Sequence, residues 1–131
     1  MSRPPIRVLD AGGSPESIGH THGSTYAEEI RAYAHDRVEL VASGLWSGGP
    51  IAKPDVLAIA ESMLGAHEAF DADLYAEMCA MAAAAGISPA EAVVVGGFTD
   101  FVDTVRAAVG GDTPASVIED DCTATIVPDH R

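Results

Sequence analysis

The sequence predicts an α+β chain that is mostly helical, with about four helices and two short strands. Alanine-rich segments with apolar residues at helical spacing fill the middle of the chain, from Pro15 to Val102. Short β-prone segments lie near the two ends, at 6–10 and 123–127. The 131 residues are one domain's worth of chain, and 47% hydrophobic residues suffice for a modest core.

The first strand is expected at Ile6–Asp10, where apolar residues alternate weakly before a glycine pair. Ser14 and Pro15 then predict the N-cap and the first position of a helix. We expect this helix to continue to near Gly44.

Two glycines, Gly19 and Gly23, lie four residues apart and therefore on one face of this first helix. Each costs about 0.5–1 kcal/mol relative to alanine in a helix. A pair at this spacing indicates that the backbone of another element approaches closely there.

Three further helices are expected, at about 54–70, at about 71–85 and from Ser88 to about Val102. Gly86 suits a left-handed C-cap for the second of these. Ser88-Pro89-Ala90-Glu91 is a capping box with proline at the first helical position, and it opens the last helix.

From about 104 to 121 the composition predicts a loop. Thr123–Val127 then reads as the second strand, which Pro128 stops. The predicted organisation is a helical segment at 1–121 and the start of a second, truncated segment at 122–131.

The net charge of −13 argues against nucleic acid and anionic membranes as partners, because both require a cationic surface. Residues 1–5 carry no secretory signal, and no apolar run is long enough to span a membrane. Cys79 and Cys122 are therefore expected as free thiols in the cytoplasm. The sequence has no zinc-ligand spacing, so no zinc site is predicted.

The stretch Asp120-Asp121-Cys122-Thr123 is the candidate catalytic site. A thiol at a loop-to-strand junction can attack the carbonyl of Asp121 and release Cys122 as a new N-terminus. Its own α-amino group, with a pKa of about 7.7–8, can then act as its base. The simpler interpretation is a small buried cysteine at the start of a strand.

The neighbours of Cys122 also have two interpretations. Asp120 and Asp121 either position the scissile loop or raise the pKa of the thiol before cleavage, or they are solvated loop acids. Thr123 either assists Cys122 through its hydroxyl or is present only because threonine favours a β-strand. Elsewhere, Cys79 is expected to pack in a core, and His20 and His22 cannot share a metal on a helix because residues two apart face different directions.

Three separated motifs resemble the isopenicillin N acyltransferase family (acyl-coenzyme A:6-aminopenicillanic acid acyltransferases). The stretch from Asp10 to Gly23, with its Gly-Ser-Pro-x-x-x-Gly-x-x-x-Gly pattern, is similar to the family's opening helix. Asp121-Cys122-Thr123 resembles its autoprocessing site, and 86–91 is similar to the stretch before its fourth helix. The order and spacing agree across nearly the whole chain.

The resemblance implies the N-terminal-nucleophile (Ntn) αββα sandwich, with an α-subunit ahead of the cysteine and a β-subunit behind it. It implies self-cleavage at Asp121–Cys122, with Cys122 as the nucleophile for transfer or hydrolysis of amide or thioester acyl groups, without a cofactor. It also implies a downstream β-subunit or second chain as partner. The 131 residues alone would then be incomplete and inactive, because the family's oxyanion-hole asparagine would follow Arg131.

A second hypothesis needs no catalysis. The chain would be an acidic helical module that binds a protein partner, and Cys122 would be a buried structural residue.

Overall fold

Six α-helices follow one another in the computed structural model, which describes residues 6–110. They are α1 (Pro15–Thr25), α2 (Ala27–Ala42), α3 (Lys53–Phe70), α4 (Ala72–Ala85), α5 (Pro89–Gly96) and α6 (Phe98–Ala108).

The predicted α+β class is wrong for the described part of the chain, because residues 6–110 contain helices and no strand, and hence no sheet for an αββα sandwich. The segment Ile6–Asp10 has no regular structure, and Ile6 and Val8 are 88% and 81% exposed. A strand forms only when its backbone pairs with another strand, and these residues have no such neighbour within 6–110. The second predicted strand, Thr123–Val127, lies outside the described residues, as does the predicted boundary at 121/122.

The single first helix that the sequence predicted is two helices, which break at Tyr26 (φ −117°, ψ 28°). Ahead of the break, the hydroxyls of Thr21 and Thr25 donate to carbonyls one turn earlier, at 2.9 and 2.6 Å. Such bonds compete with the backbone ladder and often bend helices.

The predicted last helix also divides, at Gly97, and its second part extends beyond the expected end near Val102 to Ala108. The extension is amphipathic, since Phe101, Val105 and Arg106 are buried on one side. Burial of this face outweighs the polar composition that suggested a loop after residue 104.

The hydrophobic core lies between α2, α3, α5 and α6. It consists mostly of valine and alanine, and Phe101 is its largest fully buried side chain. Its buried members are Val38, Val41, Val56, Ala60, Ala90, Val93, Val94, Phe101, Val102 and Val105.

Helix α1 lies outside this core and packs along α4, with Gly19 and Gly23 at the contact. A Cβ on Gly19 would stand 2.9 Å from the carbonyl carbon of Glu77, and one on Gly23 would stand 2.9 Å from the Cβ of Ala84. Real Cβ atoms almost never approach so closely. The predicted close backbone approach at the glycine pair is confirmed.

The C-cap predicted at the end of α4 and the capping box predicted at the start of α5 are both confirmed. Gly86 ends α4 in the left-handed conformation, at φ 79°. The hydroxyl of Ser88 accepts from the backbone N–H of Glu91 at 3.1 Å, and the Glu91 carboxylate accepts from the N–H of Ser88 at 2.7 Å.

Ser88→Ala is therefore expected to lower the free energy of unfolding by about 1 kcal/mol, because two N–H groups at the start of α5 depend on this pair. Ser14→Ala is the matched control: Ser14 also caps a helix, but its bond is longer, at 3.3 Å, and exposed. Urea denaturation followed by circular dichroism measures both. A loss for Ser14→Ala equal to or larger than that for Ser88→Ala would contradict the assignment.

Across residues 6–110, no single helix combines the length and apolarity that a membrane span requires. Helices α4 and α5 reach that length and apolarity only when they are taken together, and they are bent by 110° relative to each other.

Candidate functional site

The predicted catalytic residue Cys122 and its neighbours Asp120, Asp121 and Thr123 lie outside the described residues. The described part of the chain ends with α6 and Gly110, shortly before them. The geometry available to a site therefore comes from the helices that precede the proposed cleavage point.

The two histidines of α1 are both exposed, and they stand on a regular helix. His22 contacts the ring of Tyr26 edge-on, with 6.0 Å between centroids. Side chains two apart on a helix diverge, so His20 and His22 do not share a ligand position. Within residues 6–110, no three His, Cys, Asp or Glu side chains are grouped so that they could hold a metal ion.

Cys79 lies on α4 and is only partly buried, and it has no disulfide partner within the described range. Its thiol stands one helical turn from the hydroxyl of Tyr75. A hydrogen bond between these side chains, partial burial, and the negative charges of Glu68 and Glu61 raise the pKa of Tyr75. The phenol is therefore neutral at physiological pH and is not a candidate base.

A first apolar groove, of about 510 Å³, lies where α3 meets α4. We call it the Phe70 groove. Phe70 is 87% exposed and Leu74 is 58% exposed, so two large apolar side chains project into solvent. The groove is lined by Ala66, His67, Phe70, Leu74, Tyr75 and Met78.

A second groove of about 510 Å³, the Tyr26 groove, lies beside the break between α1 and α2. Arg7 donates two hydrogen bonds to the carboxylate of Glu29, both at 2.6 Å, and its guanidinium lies 4.7 Å from the ring centroid of Tyr26. The hydrogen bond from Arg7 lowers the pKa of Glu29. This exposed cluster holds the segment before α1 against the helices. Among the residues that line the groove are Ile30, Tyr33, Met81, Ile87 and Val95.

Two buried polar residues fasten the loop between α2 and α3. Arg106 of α6 donates to the carbonyl of Trp46, and to the carboxylate of Asp103 at 2.9 Å. The hydroxyl of Ser47 donates to the carbonyl of Val41 at 2.8 Å. These bonds satisfy groups that would be costly to bury alone, so their role is structural.

Neither the grooves nor the Arg7–Glu29–Tyr26 cluster was predicted from the sequence. Each depends on residues from separate segments of the chain, and local periodicity does not report which segments become neighbours. Comparisons of the chain with protein-family models, with curated proteins and with solved structures found no match.

Proposed function

We propose that this chain is the helical front segment of a self-processing cysteine acyltransferase or amidohydrolase, of the kind represented by the isopenicillin N acyltransferase family. Cys122 is the nucleophile, and the bond between Asp121 and Cys122 is the cleavage point. The observation that carries the proposal is the packing of Gly19 and Gly23 directly against the α4 backbone.

This observation matters because the glycine pair belongs to the motif on which the resemblance rests. The motif has a definite physical role here, since it brings α1 onto α4 at a distance that a Cβ would prevent. The stretch at 86–91, which carries the second part of the resemblance, forms the αL cap of α4 and the capping box of α5. Two of the three motifs on which the resemblance rests thus have structural roles in the described helices.

The proposed processing step is an N-to-S acyl shift. The sulfur of Cys122 attacks the carbonyl carbon of Asp121, the peptide C–N bond breaks, and the amide nitrogen takes up a proton to become the α-amine of Cys122. Water then hydrolyses the thioester, which yields a new carboxylate at Asp121 and a free thiol. That thiol, with its α-amine as base, attacks the carbonyl of an amide or thioester substrate. The substrate's C–N or C–S bond breaks, and the departing amine or thiol takes up the proton that the α-amine removed. Water or an acceptor amine then takes the acyl group from Cys122.

The substrate is accordingly a small molecule with an amide or thioester acyl group, and the chemistry needs no metal or organic cofactor. The partner is a downstream segment or second chain that completes the catalytic site. We place the reaction in the cytoplasm, where thiols remain reduced.

Thiol labelling with dithiobis(nitrobenzoate) tests the nucleophile. In the protein expressed from its full open reading frame, Cys122 should react about tenfold faster than Cys79, because a neighbouring base increases its thiolate fraction. Cys79→Ala and Cys122→Ala variants assign the two rates. If Cys122 reacts only after denaturation, it is a buried structural residue and the proposal fails.

A second candidate function, an acidic helical module that binds a protein partner, is favoured by the Phe70 groove. Large apolar patches rimmed by polar residues often mark protein-interaction sites. The same labelling experiment separates the two candidates, since a module of this kind requires no reactive Cys122.

A further inference from the structure

We propose that the Phe70 groove binds a basic amphipathic helix of a partner protein. The inference rests on the second candidate function and is independent of the chemistry of Cys122.

The shape of the groove suits a helix. Phe70 ends α3 and Leu74 lies in the first turn of α4, so the floor of the groove follows two helices that meet at a sharp turn around Asp71. Tyr75 and Met78 continue the apolar surface along α4. Apolar side chains at positions i, i+3, i+4 and i+7 of a docking helix can fill such a groove.

The negative charge around the groove favours a positively charged partner. Between Lys53 and Arg106 the sequence contains nine acidic residues and neither lysine nor arginine. Six of the nine lie on α3, on α4 or at the turn between them: Asp55, Glu61, Glu68, Asp71, Asp73 and Glu77.

At least two of these carboxylates have an electrostatic effect on a residue that lines the groove. The charges of Glu68 and Glu61 contribute to the raised pKa of Tyr75, whose side chain lines the groove. An approaching helix with lysines or arginines beside its apolar face would meet an attractive field. A second copy of this chain would bring an equally acidic rim to the contact, and like charges would oppose it.

The probe is a fluorescein-labelled peptide of leucine and lysine, with leucines at i, i+3, i+4 and i+7. Fluorescence anisotropy with the full chain, in the Cys122→Ala background, should show saturable binding. A peptide of the same composition in scrambled order should bind at least about tenfold more weakly, because it has the charge but not the apolar face. Equal binding of the two peptides would overturn the proposal.

Matched variants locate the binding surface. Phe70→Ser and Leu74→Ser should each weaken binding about tenfold, whereas Leu45→Ser, at an apolar residue 76% exposed on the loop after α2, should not. Glu68→Lys should weaken binding more than Glu28→Lys, an exposed site on α2. All of these side chains are exposed, so circular dichroism should show unchanged folding.

Two results would count against the assignment. If Glu28→Lys weakens binding as much as Glu68→Lys, or Leu45→Ser as much as Phe70→Ser, the peptide does not bind specifically at the groove. If sedimentation velocity shows a wild-type dimer that Phe70→Ser converts to a monomer, the groove is covered by a second copy instead. Neither result bears on self-cleavage, which is read separately from fragment masses.

Discussion

Gly23→Ala is expected to lower the free energy of unfolding by about 2–3 kcal/mol, and Gly19→Ala by a similar amount, because each added methyl group meets the backbone of α4 rather than a movable side chain. Overpacking at a rigid contact outweighs the roughly 1 kcal/mol that alanine gains over glycine in a helix. The two losses should not add fully, since both substitutions separate the same pair of helices.

Gly65→Ala is the matched control for this pair. Gly65 lies within α3, and a Cβ there would meet nothing within 4 Å. The same substitution should therefore raise the free energy of unfolding, by up to about 1 kcal/mol. Urea denaturation gives the three values, and hydrogen exchange should show faster exchange in α1 for the Gly19 and Gly23 variants. If Gly23→Ala is as stable as Gly65→Ala, the close contact between α1 and α4 does not exist.

Cys122→Ala is expected to abolish self-cleavage completely in the protein expressed from its full open reading frame, because no other group can perform the N-to-S acyl shift at Asp121. Cys79→Ala should be cleaved at the wild-type rate, since Cys79 lies on α4 and has no place in the proposed step. Gel electrophoresis over time measures both rates. Cleavage that persists in Cys122→Ala would show that another nucleophile or a contaminating protease is responsible.

Cys122→Ser sharpens this test. A hydroxyl can perform the same shift through an ester, but it is a weaker nucleophile than a thiol at neutral pH. Slow residual cleavage in this variant would support a direct attack by residue 122, and rapid cleavage at the wild-type rate would argue that the sulfur has no role.

Several elements could be predicted from the sequence because their signals are local. The capping box at Ser88, the αL cap at Gly86 and the bounds of α3 and α4 each depend on residues within a few positions of one another. The glycine pair on α1 predicted a close approach correctly, although it could not identify α4 as the neighbour.

The errors have a common physical origin in tertiary contacts. The break at Tyr26 accompanies side-chain bonds and the stacking of Arg7, which is distant in sequence. The extension of α6 to Ala108 depends on burial of Val105 and Arg106 against other helices and the loop at Trp46. The strand predicted at Ile6–Asp10 had the right alternation but needs a neighbouring strand, which local pattern cannot supply.

The candidate sites likewise differ in whether they depend on local sequence or on tertiary contacts. Cys122 was identified from its immediate neighbours and from a resemblance, both of which are sequence properties. The Phe70 groove required knowledge that α3 and α4 meet at an angle that leaves Phe70 and Leu74 uncovered. The stretch between Lys53 and Arg106, with nine acidic residues and neither lysine nor arginine, is the one sequence signal that points toward it.

Intact-mass spectrometry of the protein expressed from its full open reading frame tests the central claim most directly. We predict two fragments, one ending at Asp121 and the other beginning with an unblocked Cys122, whose masses together exceed that of the precursor by one water. A wild-type protein that remains whole, or one that breaks at any other bond, would contradict the proposed self-processing.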